Sequence, residues 1–193
     1  MGLWSRITSW FGPRSFPPLE APGWRVLRHL SLDEIFVAWA QREGGDLAGM
    51  WTACPRADWL ITLSASVGVE RRAVFEAVSD CVEQAPRAGG DHAHRAALAA
   101  AERWLERQCD AGQLGGTLAR FIDEVLDSHP ELSRARVARH APVGRRYPEE
   151  RISADLAERN VLLQMAGLVR RRISFEDVRD AIWGAQAGDA PYR

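Results

Sequence analysis

The feature that most constrains this chain is a close succession of helix-start and helix-stop signals from residue 31 onward. Residues 31–34 read Ser-Leu-Asp-Glu, the pattern of a capping box, and Gly44-Gly45 ends the helix that it predicts. No stretch alternates apolar and polar residues with the period of two that a strand would show. The sequence therefore predicts an all-α fold, a single helical-bundle domain of about eight helices with short connections. The apolar stripe of the first of these helices is Leu32, Ile35, Phe36 and Trp39.

The central helix is expected between residues 55 and 67. Pro55 can occupy its first helical position, and Gly68 is placed to end it. Asp58 is the only charged residue from Ala57 to Val67. Because a helix with so few charges has to be surrounded by other elements, we expect this one to be the most buried.

The remaining helices are predicted from similar signals. Gly115-Gly116 is expected to break the chain between two of them, and Ser174–Asp177 has the pattern of a second helix N-terminus. Helices are predicted over residues 69–85 and 91–108, from Thr117, over 130–139, from Ser153 and from Ser174, with a loop over 141–151.

Residues 2–11 have the spacing of a short amphipathic helix, with five apolar side chains on one side. Gly12-Pro13 ends this helix, and the four prolines of residues 12–24 predict an extended tether. The predicted organisation is the amphipathic helix with its tether over 1–24, an all-helical domain over 25–184, and a flexible tail over 185–193. The five apolar residues are Leu3, Trp4, Ile7, Trp10 and Phe11.

These five side chains predict a docking helix, and the sequence leaves its target open. The helix can enter a groove on a protein partner or a second copy, or it can pack against its own domain. It can also lie on a membrane surface, where Trp, Leu and Phe are favoured. Arg6 alone gives weak electrostatic support for that third target.

The charge balance argues against nucleic acid as a partner. The chain has 25 Lys and Arg residues against 26 Asp and Glu residues, a net charge of −1. Tyr147 is the only aromatic residue of the arginine-rich stretch 134–151, which therefore lacks a platform for stacking bases. No apolar run is long enough to span a bilayer, and three cysteines form no disulfide framework. We expect a cytoplasmic protein, peripheral to a membrane or a large assembly where its first helix docks.

No residue pattern points to catalysis. His92 and His94 would lie about 200° apart on a helix, so they cannot readily hold one metal ion. Cys54, Cys81 and Cys109 lie among apolar neighbours, where cysteine behaves as a small hydrophobic residue. The chain contains no Gly-x-Ser-x-Gly turn and no phosphate-binding glycine loop. We therefore predict a protein that is not an enzyme and that uses no metal, cofactor or small-molecule ligand.

Residues 54–60 read Cys-Pro-Arg-Ala-Asp-Trp-Leu. This stretch resembles the signature of a family of immunity proteins of bacterial polymorphic toxin systems, and the Ala-rich stretch ending in Trp104 is similar to a later helix of that family. The resemblance implies a helical protein that neutralises a toxin by occluding its functional surface. Residues 1–50 have no counterpart there, which indicates an alternative, a structural adaptor recruited through the N-terminal helix. The motif residues, expected to be structural, are Cys54, Pro55, Asp58, Trp59 and Leu60.

Overall fold

The structure, a computed structural model, describes residues 16–18, 20–85, 91–128 and 148–184. These residues form nine helices and no strand, which confirms the predicted all-α class. No helix in these ranges is both long enough and apolar enough to cross a membrane. The helices are α1 (Gly23–His29), α2 (Glu34–Glu43), α3 (Leu47–Ala53), α4 (Ala57–Val67), α5 (Arg71–Gln84), α6 (Asp91–Leu105), α7 (Ala111–Ser128), α8 (Pro148–Arg172) and α9 (Phe175–Gly184).

Helix α1 was not predicted, and it begins inside the stretch expected to be a tether. The N–H of Gly23 donates to the carbonyl of Gly45 at 3.1 Å. A Cβ atom at Gly23 would lie 3.1 Å from the carbonyl oxygen of Asp46, so glycine permits the close approach of α1 to the start of α3. Trp24 and Phe16 pack against the core. The core therefore uses side chains from Phe16 onward, ahead of the predicted boundary at residue 25.

The predicted capping box at Ser31 is wrong, because Ser31 serves the end of α1 instead. Ser31 has a φ of 55°, and the N–H of Leu32 donates to the carbonyl of Leu27 at 3.1 Å, as in a Schellman motif. Asp33 caps α2, and its carboxylate accepts a hydrogen bond from the N–H of Ile35 at 2.7 Å. The side chain of Ile35 is 70% exposed, so it does not belong to the buried stripe predicted for this helix.

The segment between α3 and α4 corrects the predicted role of Pro55. Cys54 has φ −59° and ψ 120°, the extended conformation that a residue before proline favours. Arg56 is also extended and forms the N-terminal boundary of α4, which begins at Ala57. Pro55 therefore lies in the turn between the helices rather than at a first helical position. Gly68 ends α4 in the left-handed conformation, as predicted.

Helix α7 contains Gly115-Gly116, which were expected to separate two helices. It begins at Ala111, six residues ahead of Thr117, because Asp110 and Gln113 form a capping box. The N–H of Gln113 donates to the Asp110 carboxylate at 2.8 Å, and the N–H of Asp110 donates to the Gln113 amide oxygen at 3.2 Å. These reciprocal bonds initiate the helix early enough for it to continue through both glycines.

The last two helices are partly as predicted. Helix α8 begins at Pro148, ahead of Ser153 and inside the predicted loop 141–151. Ser174 and Asp177 form the expected capping pair: the N–H of Asp177 donates to Ser174 Oγ at 3.1 Å, and the N–H of Ser174 donates to the Asp177 carboxylate at 2.8 Å. The helix predicted over 130–139 and the tail over 185–193 lie outside the described residues.

The core is built around α4, as predicted. This helix packs against α5, α7, α8 and α9, and its side chains Leu60, Ile61 and Leu63 are fully buried. Helix α5 also packs against α6 and α8, and α6 packs against α7. A smaller layer of α1, α2 and α3 adds Leu27, Phe36 and other residues to the same core.

Candidate functional site

The turn between α3 and α4 is held in place by an arginine of α8. Arg170 Nε donates to the carbonyl of Trp51 at 2.9 Å, and Arg170 Nη2 donates to the carbonyl of Cys54. These bonds satisfy carbonyl groups that the end of α3 leaves without partners in the helix. Burial lowers the pKa of Arg170, although the guanidinium remains a donor to both carbonyls. The first part of the motif is thus fixed to α8.

Asp58 is a buried structural partner of Arg56. Its side chain accepts hydrogen bonds from Arg56 Nε at 3.0 Å and from Nη2 at 3.1 Å, and the residue is 3% exposed. Burial raises the pKa of the Asp58 carboxyl, while the hydrogen bond from Arg56 opposes that rise. The Arg56 guanidinium also lies 5.4 Å from the ring centre of Trp59. The pair orients the first turn of α4 and leaves no free carboxylate for acid–base chemistry.

The two buried thiols are hydrogen-bond donors rather than nucleophiles. The Cys54 thiol donates to the carbonyl of Arg56, and the Cys81 thiol donates to the carbonyl of Met165, each at 3.6 Å. Burial raises the pKa of each thiol to about 12, so both are protonated at neutral pH. In the described ranges, no group of three or more His, Cys, Asp and Glu side chains is arranged to hold a metal ion.

Trp59 and Leu60 differ in their burial. Leu60 is fully buried, as expected for a core residue. Trp59 is only partly buried, and its ring stacks on Phe36 with centroids 4.9 Å apart. The Trp39 ring lies 5.7 Å from the Trp59 ring. The predicted core position is therefore confirmed for Leu60 and only partly correct for Trp59, which joins α4 to the layer of α2.

A groove lies beside this motif, between α8 and the ends of α2 and α3. We call it the α8 groove; its volume is about 510 Å³. Pro55 is the motif residue that reaches it, since Cys54 and Asp58 are buried beneath. Its lining comprises Trp39, Glu43, Ala53 and Pro55 on one side and Asp155, Glu158, Arg159, Leu162 and Leu163 of α8 on the other.

Helix α8 exposes two leucines, Leu163 in the groove lining and Leu156 next to the lining residue Asp155. Leu156 is 55% exposed and Leu163 is 38% exposed. Residues seven apart lie on the same face of a helix, about two turns from one another. The other large hydrophobic side chains that the described residues expose are Ile35 and Leu105, on separate helices. Leu156 and Leu163 therefore form the one pair of exposed leucines that shares a helix face in the described part of the chain.

The lining of the groove combines acidic and apolar side chains. Glu43, Asp155 and Glu158 contribute three carboxylates, and Arg159 contributes one positive charge. Trp39, Pro55 and Leu162 supply the apolar surface. Such a surface can accept the apolar stripe of a helix and attract basic side chains beside it.

The five predicted docking residues, Leu3, Trp4, Ile7, Trp10 and Phe11, lie outside the described residues. The α8 face was not predicted as a site, since leucines at this spacing have the same pattern as a core stripe. Trp39 was likewise assigned only to a core stripe.

Comparison with known protein families, with curated proteins and with solved structures finds no match for this chain. The similarity of residues 54–60 to the immunity-protein signature therefore stays a prediction, and what the α8 groove does has to be inferred from its own side chains.

Proposed function

We propose that this chain is a protein-binding protein without enzymatic activity, and that it occludes a functional surface of its partner with the α8 groove. The observation that carries the proposal is the pair Leu156 and Leu163, exposed on one face of α8 beside the groove. Fully burying an exposed leucine side chain contributes about 1.5–3 kcal/mol. A partner that covers both leucines gains the part of this contribution that corresponds to their exposed fractions, 55% and 38%. The resemblance to immunity proteins suggests a bacterial toxin as that partner, met in the cytoplasm.

The chemistry of the groove specifies the partner's contacting element. An amphipathic helix about two turns long would cover Leu156 and Leu163 with one apolar stripe. Arg or Lys beside that stripe would face Glu43. The charged side chains of the lining then set orientation and association rate, while the exposed leucines supply most of the affinity.

The alternative function, an adaptor that docks through residues 2–11, is favoured by one further observation. Residues 1–15 carry Arg6 and Arg14 and no acidic side chain, together with five apolar residues at helical spacing. This segment therefore has the chemistry that the α8 groove would select, and in an adaptor it would dock into a groove of that kind on another protein.

The test uses the full chain and the toxin encoded beside its gene. We expect the double variant Leu156→Glu/Leu163→Glu to bind that toxin at least about tenfold more weakly by isothermal titration calorimetry, and to lose protection in co-expression. Ile35→Glu is the matched control, because it also charges an exposed apolar side chain, on α2 and outside the groove lining. Equal binding by wild type and the double variant would contradict the groove as the binding surface.

Deletion of residues 1–15 separates the two functions. If the protein neutralises a toxin, the truncated chain still binds it with at least the affinity of the full chain. If it is an adaptor, the truncated chain stays folded by circular dichroism but loses its oligomer or its sedimentation with membranes. Failure of the full chain to bind the neighbouring toxin would rule out the immunity function.

A further inference from the structure

A second cleft lies where α6 ends and α7 begins, and its volume is about 480 Å³. We infer that this cleft binds an oxyanion, the phosphate group of a small organic phosphate. This inference is independent of the α8 groove and of the proposed function. The side chains and backbone that line the cleft are those of Arg103, Gln108, Gln113, Gly116, Thr117 and Arg120, with Cys109 at its edge.

The lining is rich in hydrogen-bond donors and contains no carboxylate. Two guanidinium groups and two side-chain amide groups face the same space, a set that suits phosphate oxygens. The Thr117 hydroxyl already donates to the carbonyl of Gln113 at 3.0 Å. A pocket of this volume falls in the range of about 300–1,000 Å³ that small ligands occupy. The cleft leaves room beside a phosphate group for the organic part of a phosphate ester.

The two arginines of the cleft are not used in ion pairs. Among the described residues, neither Arg103 nor Arg120 forms a salt bridge, although Arg56, Arg72 and Arg172 do so. Arg120 donates weakly to its own helix, from Nε to the carbonyl of Gly116 at 3.3 Å and from Nη2 to Thr117 Oγ1 at 3.4 Å. Because a guanidinium has five N–H donors, most of the donors of Arg120 remain for a ligand.

The carbonyl groups at the end of α6 would repel an anion, but protein donors occupy three of them. The carbonyl of Arg103 accepts from the N–H of Gln108 at 2.7 Å, and that of Trp104 accepts from the N–H of Arg107 at 3.1 Å. The carbonyl of Ala100 accepts from the Cys109 thiol at 3.6 Å. These bonds reduce the negative potential that an anion would otherwise meet at this edge of the cleft.

One backbone feature at the cleft suits a ligand site. Gly116 lies inside α7, where glycine weakens a helix, yet a Cβ atom there would meet nothing within 4 Å. Packing therefore does not require glycine at position 116. Because Gly116 has no side chain, it leaves space in the cleft.

The test is a titration of the full chain with inorganic phosphate and, separately, with glycerol 3-phosphate, followed by NMR of the backbone amides. We expect saturable shifts at residues 108–117, with tighter binding of the ester. In Arg103→Gln/Arg120→Gln the dissociation constant should rise at least about tenfold, because two charge-assisted contacts are lost.

The control Arg42→Gln/Arg95→Gln removes the same number of charges from two exposed positions outside the cleft. It should bind glycerol 3-phosphate as wild type does. Equal weakening in both double variants would show that net charge alone attracts the anion, and would overturn the inference. Absence of saturation at millimolar ester would overturn it as well. If inorganic phosphate binds as tightly as the ester, the site holds an oxyanion but the organic part of the ligand is not recognised.

Discussion

Helices α4 and α8 both contain leucines at helical spacing, yet the structure places some of these leucines in opposite environments. Leu60 and Leu63 of α4 are fully buried between four other helices. Leu156 and Leu163 of α8 are exposed beside a groove, although the same helix buries Met165 and Val169. Leucine spacing alone therefore does not distinguish a core stripe from a binding face. The distinction depends on which helices the tertiary fold places opposite each leucine.

Truncating one leucine from each region is the strongest test of this comparison. Leu60→Ala should lower the free energy of unfolding by about 2–5 kcal/mol, because it leaves a cavity in the core. Leu163→Ala should change it by no more than about 0.5 kcal/mol, because its side chain already contacts solvent. Urea denaturation followed by circular dichroism measures both. Similar losses in the two variants would show that Leu163 belongs to the core and would remove the basis for a docking face.

The next test compares neighbouring glycines of α7, one against the core and one at the surface. A Cβ atom at Gly115 would collide with Thr62 Oγ1 and lie 3.2 Å from Thr62 Cβ. Gly115→Ala should therefore destabilise the protein by about 1–3 kcal/mol. Gly116→Ala meets open space and should stabilise it by up to about 1 kcal/mol, since alanine favours a helix.

The double variant Gly115→Ala/Thr62→Ala identifies the cause of the first effect. Removing the hydroxyl group should restore part of the lost stability, measured in the same urea titrations. No recovery would mean that the contact of α4 with α7 at Gly115 is not tight enough to exclude a methyl group.

The elements that could be predicted from sequence are those whose signals are local. Gly68 ends α4, and Ser174 with Asp177 begins α9, because each effect involves residues close together in the chain. Ser31 was assigned to the wrong helix because α1 is only seven residues long and its signals lie among prolines. Gly115 was interpreted as a helix break because the residue that requires glycine there, Thr62, lies on another helix.

The candidate site was harder to predict for the same reason. Pro55 could be recognised as part of a motif, but its position in a groove wall depends on α2 and α8. Arg170 showed no signal at all, since the carbonyls that it binds lie 119 and 116 residues away along the chain.

The smallest expected effect on stability comes from two carboxyl groups, that of Asp80 beside the end of α8 and that of Asp58 in α4. Asp80 of α5 binds Arg172 at the end of α8, with Nε at 2.6 Å from Oδ2, and this hydrogen bond holds the pKa of Asp80 below its usual value of 3.8. A carboxyl group whose pKa is lowered by folding stabilises the protein above its unfolded pKa, and that contribution is lost as the pH falls through its folded pKa. The pKa of Asp58 shifts in the opposite direction, because burial raises it. The contribution of Asp58 to stability therefore increases as the pH falls.

Asp80→Asn should therefore lower the free energy of unfolding by up to about 1 kcal/mol at neutral pH, a range typical of surface ion pairs. The difference from wild type should disappear in acid, where Asp80 is protonated in both states. Urea titrations at a series of pH values measure it, and Asp180→Asn is the control, because Asp180 pairs with its exposed neighbour Arg179 in the same helix. A difference that persists unchanged in acid would mean that Asp80 stabilises the contact of α5 with α8 by packing rather than by charge.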